Sequence, residues 1–268
     1  MEIRELNEEI QQLMMIYYKE YYHDLLGLPD WAERIQSRFE EEELIGKPNI
    51  IMLEKILHYK FDSSKKVLVI GGGTGAEFFE FVKSGCDVYT IEPNDTAIKI
   101  MKLKCQKYNI DENKICQGVA ESLPFKDNLF DFVYCFTVLE HVQDVNKTIQ
   151  EAIRVTKPGG YMHFKTPDFR QFYEEHYKIH IPLWLPIWIL KLILWFIGRP
   201  TAFLNTLNFV TAKQLRNIFR RSQVIAMQIY FPYQEHLIHP KGWDKLIIWM
   251  QDVLGIERSQ YWVLIKEN

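Results

Sequence analysis

Val67-Leu68-Val69-Ile70 runs directly into Gly71-Gly72-Gly73-Thr74-Gly75, after which Ala76 opens a stretch with helical spacing. A short apolar run bounded in this way reads as a strand buried on both faces. The turn that follows needs backbone angles that side chains resist, and a ligand lying against the backbone needs side chains removed. Gly71, Gly73 and Gly75 meet both needs. A chain with this feature folds as a strand-loop-helix unit whose turn either takes a ligand against its backbone or is a ligand-free structural turn.

The same rhythm continues. Strands are predicted at 67–70, 87–91, 115–119, 130–136 and 161–165, with helices at 76–84, 96–108 and 145–155 between them. After a lapse from Pro167 to Phe209, Thr211 caps a helix to Arg220, and strands follow at 224–230 and 261–265. Alternating β and α at this spacing implies a parallel sheet covered on both faces, an α/β fold of the doubly wound, seven-stranded Rossmann-like kind. Residues 1–60 read as an N-terminal helical cap and 61–268 as the sheet domain, with an aromatic insertion at about 167–209. In the cap, Leu13, Ile16, Tyr17, Glu20 and Tyr21 keep helical spacing, and Gly27 with Pro29 breaks the run. Asp30 caps a second helix, Gly46 stops it and Pro48 opens a third.

Composition narrows the function classes. A hydrophobic fraction of 47% with 25% charge supports a packed core, and a net charge of -3 argues against a nucleic-acid partner. Cys86, Cys105, Cys116 and Cys135 form no CxxC pair and read as reduced, buried residues of a cytoplasmic protein. The charged start, MEIRELNEEI, has no apolar segment of a signal peptide.

About twenty residues after the glycines the second strand ends in Glu92, where a carboxylate accepts hydrogen bonds from ribose hydroxyls. Gly71-x-Gly73-x-x-Ala76 also fits the dinucleotide pattern, so this stretch alone leaves NAD and S-adenosyl-L-methionine open. Three further motifs separate them: Gly118-Val119-Ala120-Glu121-Ser122-Leu123-Pro124-Phe125, then the run from Phe130-Asp131-Phe132 to Leu139-Glu140-His141-Val142, then Arg154-Val155-Thr156-Lys157-Pro158-Gly159-Gly160. In order and spacing the chain resembles the class I methyltransferases of the family that includes the ubiquinone/menaquinone biosynthesis enzymes, over roughly 65–166.

The resemblance implies S-adenosyl-L-methionine as cofactor and S-adenosyl-L-homocysteine as product. It implies that Gly71, Gly72, Gly73, Thr74 and Gly75 cradle the methionine and ribose, that Glu92 holds the ribose and that Pro93 packs near the adenine. Val119, Ala120 and Glu121 would border the adenine, and Phe136 with Thr137 would lie under the methionine. Two positions depart from the pattern: the family's first-strand aspartate is Val69, and its polar residue before Ala120 is Val119.

A sulfonium methyl is already activated, so a base is needed only for an acceptor that must lose a proton. His141 is the candidate, against the alternative that it merely packs at a helix start. His176 and His180, four apart, could share a helix face; without a metal-ligand signature they read, with His163, as polar positions, and no metal is expected. Tyr17, Tyr18, Tyr21 and Tyr22 form two i,i+4 pairs that either pack the first helix down or close over the cofactor.

Residues 181–197 are apolar nearly all round, with Lys191 the lone charge. The stretch is too short to span a bilayer comfortably. Three readings remain: a lid covered by the N-terminal helices or by 243–254, a homodimer interface, or a peripheral membrane contact. The expected activity is methylation of an oxygen on an apolar or lipid-linked small molecule. The alternatives are carbon methylation of a quinone- or polyketide-like acceptor and a non-catalytic cofactor-binding relative.

Overall fold

The computed structural model describes residues 3–42, 46–229, 253 and 259–267. Strand β1 (Lys66–Ile70) shows why the sequence reads as it does: Leu68 and Ile70 enter one hydrophobic cluster and Val67 and Val69 another, on opposite faces of the sheet. Period-two alternation with both sets apolar is the mark of a strand covered on both sides.

β1 pairs in parallel with β2 (Asp87–Glu92) and β4 (Phe130–Phe136); β3 (Ile115–Gln117) lies outside β2 and β5 (Thr156–Pro167) outside β4. Two further sheet strands, β8 (Val224–Ile229) and β9 (Ser259–Lys266), extend it antiparallel, giving the seven-stranded order β3-β2-β1-β4-β5-β9-β8. The chain winds outwards from β1 and returns to β4, so the crevice where ligands enter such sheets opens at the carboxyl ends of β1 and β4.

Helices α4 (Ala76–Lys83) and α5 (Asp95–Tyr108) cover one face, together with α3 (Gly46–Leu57), whose Ile50 and Leu53 are buried there. Helices α6 (Val145–Val155) and α8 (Ala212–Arg220) cover the other. Thr211 caps α8 through a reciprocal capping box with Gln214.

A third cluster joins α1 (Ile3–Lys19) and α2 (Trp31–Glu41) to the insertion. Leu6, Ile10, Met14 and Tyr18 pack in the same cluster as Tyr177, Ile181, Leu190, Leu194 and Phe203, distant in sequence but one apolar core in space. The insertion holds a hairpin of β6 (Tyr173–Glu174) and β7 (Ile179–His180), then α7 (Ile187–Phe196).

Some local expectations are corrected. His176 and His180 do not share a helix: Glu174 accepts the Tyr177 and Lys178 N–H groups and Lys178 turns left-handed, which folds the chain back as a hairpin. Asp30 does not cap α2 with its side chain, because its carboxylate takes the Arg34 guanidinium at 2.6 Å. Gly46 opens α3 rather than ending α2. β3 stops at Gln117, where Gly118 N–H turns to the Glu92 carbonyl. Tyr230, and the stretch 243–254 apart from Val253, lie outside the described residues.

Residues 181–197 present two faces. Leu190 and Leu194 are buried in the core that the insertion shares with the N-terminal helices, whereas Trp188, Trp195 and Phe196 are 65%, 67% and 71% exposed. The shared core therefore covers only the inner face. Among the described residues no helix is long and apolar enough to cross a membrane.

Candidate functional site

The glycine loop folds back over the end of β2. Gly71 and Gly72 N–H groups reach the Ile91 carbonyl, and Gly73 N–H donates to Glu92 Oε2 at 2.9 Å. The other carboxylate oxygen takes Asn94 N–H at 3.0 Å. Glu92 therefore holds the loop in shape before any ligand arrives, and each oxygen keeps a lone pair for ribose hydroxyls. Burial pushes its pKa up, opposed by those two N–H groups.

The glycines serve different ends. A Cβ on Gly72 would lie 2.4 Å from Thr90 Oγ1, so this glycine is needed for packing. A Cβ on Gly73 would meet nothing within 4 Å, yet its φ of +50 disfavours any side chain. Open space beside a left-handed residue held by the Glu92 carboxylate is a cradle that a cofactor would fill.

Behind the loop, Thr74 faces the protein. Its hydroxyl bonds Tyr18 Oη at 2.9 Å, and its carbonyl accepts Lys104 Nζ at 2.9 Å. Lys104 also pairs with buried Glu42. This network ties α1, the end of α2 and α5 to the loop; the acidic run 40–43 reads in the sequence as a solvated face, but Glu42 is buried because Lys104 neutralises it. The tyrosines divide: Tyr18 and Tyr22 stack 5.8 Å apart and pack inwards, with Tyr22 Oη accepting Arg38 Nε–H. Tyr17 is held well above its ordinary pKa by burial and the charge of Glu92, and Tyr21 by burial and the charges of Tyr22 and Glu174, then Tyr17 and Glu140. That face of α1 runs along the site. Tyr21 and Tyr22 sit in a π-helical segment, Glu20–Leu25, a local widening frequent at functional sites.

The remaining expected contacts spread along the strand ends. Pro93 is exposed beside Glu92, Val119 is exposed and Ala120 is buried. Glu121 is used structurally, accepting Gln143 N–H at 2.6 Å and Asp144 N–H at the start of α6. The Phe136 ring stacks on Tyr134, with Lys165 Nζ 5.4 Å from its centroid. Thr137 adopts φ +56, a left-handed conformation that costs a β-branched residue on the order of 1–2 kcal/mol. It is pinned by its N–H to the Lys165 carbonyl at 2.8 Å. Strain of this kind clusters at functional sites, and Thr137 carries it at the end of β4, beside the crevice.

Past Thr137, Val138 packs on Gly71, and His141 N–H closes a turn onto the Val138 carbonyl at 2.8 Å. His141 keeps an exposed surface, yet the protein packed around its ring and neighbouring His176 hold its pKa down to about 4. Its ring lies 5.2 Å from that of His176 and 5.8 Å from Phe203. The sequence had grouped His176 with His180; folding brings it to His141 instead. Glu140, quoted in a motif without a role, is fully buried beside them.

With this geometry in place, the comparisons with known proteins are decisive for the core. The family model described as a methyltransferase domain matches residues 68–164. The core is a class I S-adenosylmethionine-dependent methyltransferase domain. The methyltransferase core is 34% identical over 115 residues to the ubiquinone/menaquinone biosynthesis C-methyltransferase UbiE of Pectobacterium carotovorum, a match covering 40% of this chain and 46% of that protein. It is 31% identical over 137 residues to the sterol 24-C-methyltransferase erg6 of Schizosaccharomyces pombe, covering 48% of this chain and 35% of that one. The chain thus spans less than half the length of these curated relatives. The S-adenosylmethionine-dependent methyltransferase from Mesorhizobium loti superposes with a TM-score of 0.54 at 12% identity, covering 79% of this chain and 95% of that one. The methyltransferase cofactor is S-adenosylmethionine, and the Gly73 cradle and Glu92 carboxylate fit it.

Proposed function

We propose that the chain transfers a methyl group from S-adenosylmethionine to an oxygen of a hydrophobic or lipid-linked small molecule. The observation that carries this reading is the Glu140, His141 and His176 cluster, set one turn past the crevice and walled by Phe203. Polar groups with lone pairs at that place suit an acceptor that arrives with a hydroxyl and leaves without its proton.

The cofactor supplies a methyl already activated on sulfonium. The chain's residues do the rest: Gly73 and Glu92 fix the ribose, Thr137 and Phe136 shape the floor, and Tyr17 and Tyr21 help keep water from the crevice. In the transfer the acceptor oxygen gives its proton to an imidazole or to water and forms the new bond to the methyl carbon. The carbon–sulfur electron pair stays on sulfur, leaving S-adenosylhomocysteine. An apolar acceptor is supported by the aromatic wall and by the exposed Trp184, Trp188, Trp195 and Phe196 of the insertion, side chains suited to a membrane surface.

Carbon methylation is the second reading, favoured by the printed activities of UbiE and the sterol enzyme. Incubation with methyl-labelled cofactor and a lipid extract tests both. Label that moves to the organic phase and is released by hydriodic acid is an ether methyl. Organic label that resists such cleavage supports carbon transfer, and no transfer to any extract with intact cofactor binding supports a binding-only protein.

A further inference from the structure

We propose that Glu140, His141 and His176 form a divalent metal site, for a cation of the zinc, cobalt or manganese class, at the mouth of β4. Among the described residues this is the one cluster of its kind: a carboxylate oxygen and two imidazole nitrogens, all within 4.8 Å of one another. Ligands around zinc at 2.0–2.1 Å sit roughly 3.4 Å apart. A small rotation of the His141 side chain, which is exposed, closes much of that difference.

Two observations point to a cation rather than to simple packing. Glu140 is fully buried, its Oε2 accepts the Thr166 hydroxyl at 3.0 Å, and its Oε1 has no hydrogen-bond partner. A bare buried carboxylate oxygen is costly unless something positive meets it. The Lys165 ammonium acts on Glu140 only through space: it is bonded to Glu175 at 3.1 Å and leaves that oxygen without a hydrogen bond.

His176 supplies the second observation. Its Nδ1 lies 2.7 Å from Glu174 Oε1, and a carboxylate can only accept, so the proton sits on Nδ1 and Nε2 presents a lone pair. A carboxylate behind a histidine in this way fixes the tautomer and raises ligand basicity, the usual arrangement behind a metal-bound imidazole. Phe203 packs against both rings and keeps one side dry.

Two imidazoles and one carboxylate favour zinc, cobalt or manganese over magnesium or calcium, which prefer oxygen alone. Three protein ligands leave coordination positions open, as catalytic sites do. Resting on the oxygen-acceptor reading above, the site would bind the acceptor's phenol or enol oxygen and lower its pKa, easing loss of the proton before methyl transfer. With both imidazoles bound as ligands, the acceptor's proton goes to water rather than to His141 or His176.

The test is titration of the chelator-treated chain with Co²⁺, followed by visible absorption, and competition of bound Co²⁺ by Zn²⁺. One saturable equivalent is expected, weakened at least tenfold in each of His141→Ala, His176→Ala and Glu140→Gln. Glu174→Gln should weaken it about tenfold through His176. Exposed His23→Ala on the cap should leave it unchanged. Unaltered S-adenosylhomocysteine affinity in His141→Ala would show that the fold is intact, so that variant decides the matter if a buried one misfolds. Absence of saturable binding, or binding indifferent to His141→Ala and His176→Ala, overturns the proposal. Methyl transfer to oxygen with no Co²⁺ binding would defeat the metal site alone. Co²⁺ binding with transfer only to carbon would support the site and defeat the oxygen reading alone.

Discussion

Replacing Glu92 with alanine separates two jobs that the sequence shows as one. The carboxylate accepts Gly73 N–H at 2.9 Å and Asn94 N–H at 3.0 Å, and only its remaining lone pairs are left for the ribose it is proposed to hold. Removing it leaves two partly buried N–H groups without acceptors, at about 1 kcal/mol each where water can reach them, so the cofactor-free protein should lose ~2 kcal/mol. Losing charge-assisted bonds to the ribose should cost a further 1.5–3 kcal/mol of cofactor affinity, roughly tenfold to somewhat over a hundredfold. Urea unfolding without ligand measures the first effect and calorimetry with S-adenosylhomocysteine the second. Because burial raises the Glu92 pKa and ribose bonding favours its ionised form, wild-type affinity should fall on acidification from a pH above the ordinary carboxylate value, and the variant's should not. Unchanged affinity in Glu92→Ala would refute the ribose assignment. Unchanged stability would refute its role in shaping the loop.

Lys104→Met should cost about 3–5 kcal/mol, because it strands the Glu42 carboxylate beside Thr74, and adding Glu42→Leu should recover most of that in denaturant unfolding. A double variant no better than the single would deny the pair. His163 is fully buried with its pKa pushed down to about 4, so the native state binds fewer protons than the unfolded chain below pH 6.5. Stability from this residue is full above that pH and lost as pH falls towards 4, by up to about 3 kcal/mol, and His163→Phe should flatten that slope in acid titrations followed by circular dichroism. His141, shifted the same way, adds to the slope and should be replaced in parallel. Trp188→Glu with Leu192→Glu on the exposed face of α7 should leave cofactor affinity and stability nearly unchanged while abolishing liposome binding. Retained liposome binding, or conversion of a dimer to a fully active monomer, would remove the membrane contact.

The sequence by itself determined the α/β fold class and the positions of the glycine loop and of Glu92 at its strand end. β4 and α6 fall on the residues their patterns predict, because alternation, helical period and caps are local in the chain. The same holds for Gly73 and Glu92: a strand end, a turn and a second strand end need little beyond nearest neighbours to be placed. What only the tertiary structure decided is everything built by contact between distant segments. Lys104 and Glu42 are unremarkable charges on two helices until the cap folds onto the loop. His176 was read beside His180 because four residues look close on a helix, yet a hairpin carries it to His141. The bare oxygen of Glu140 is invisible in a motif. Burial and missing partners are properties of the packed interior, where chain separation no longer measures distance, and so the polar cluster beyond the cradle emerges only once the insertion and the N-terminal helix share one core.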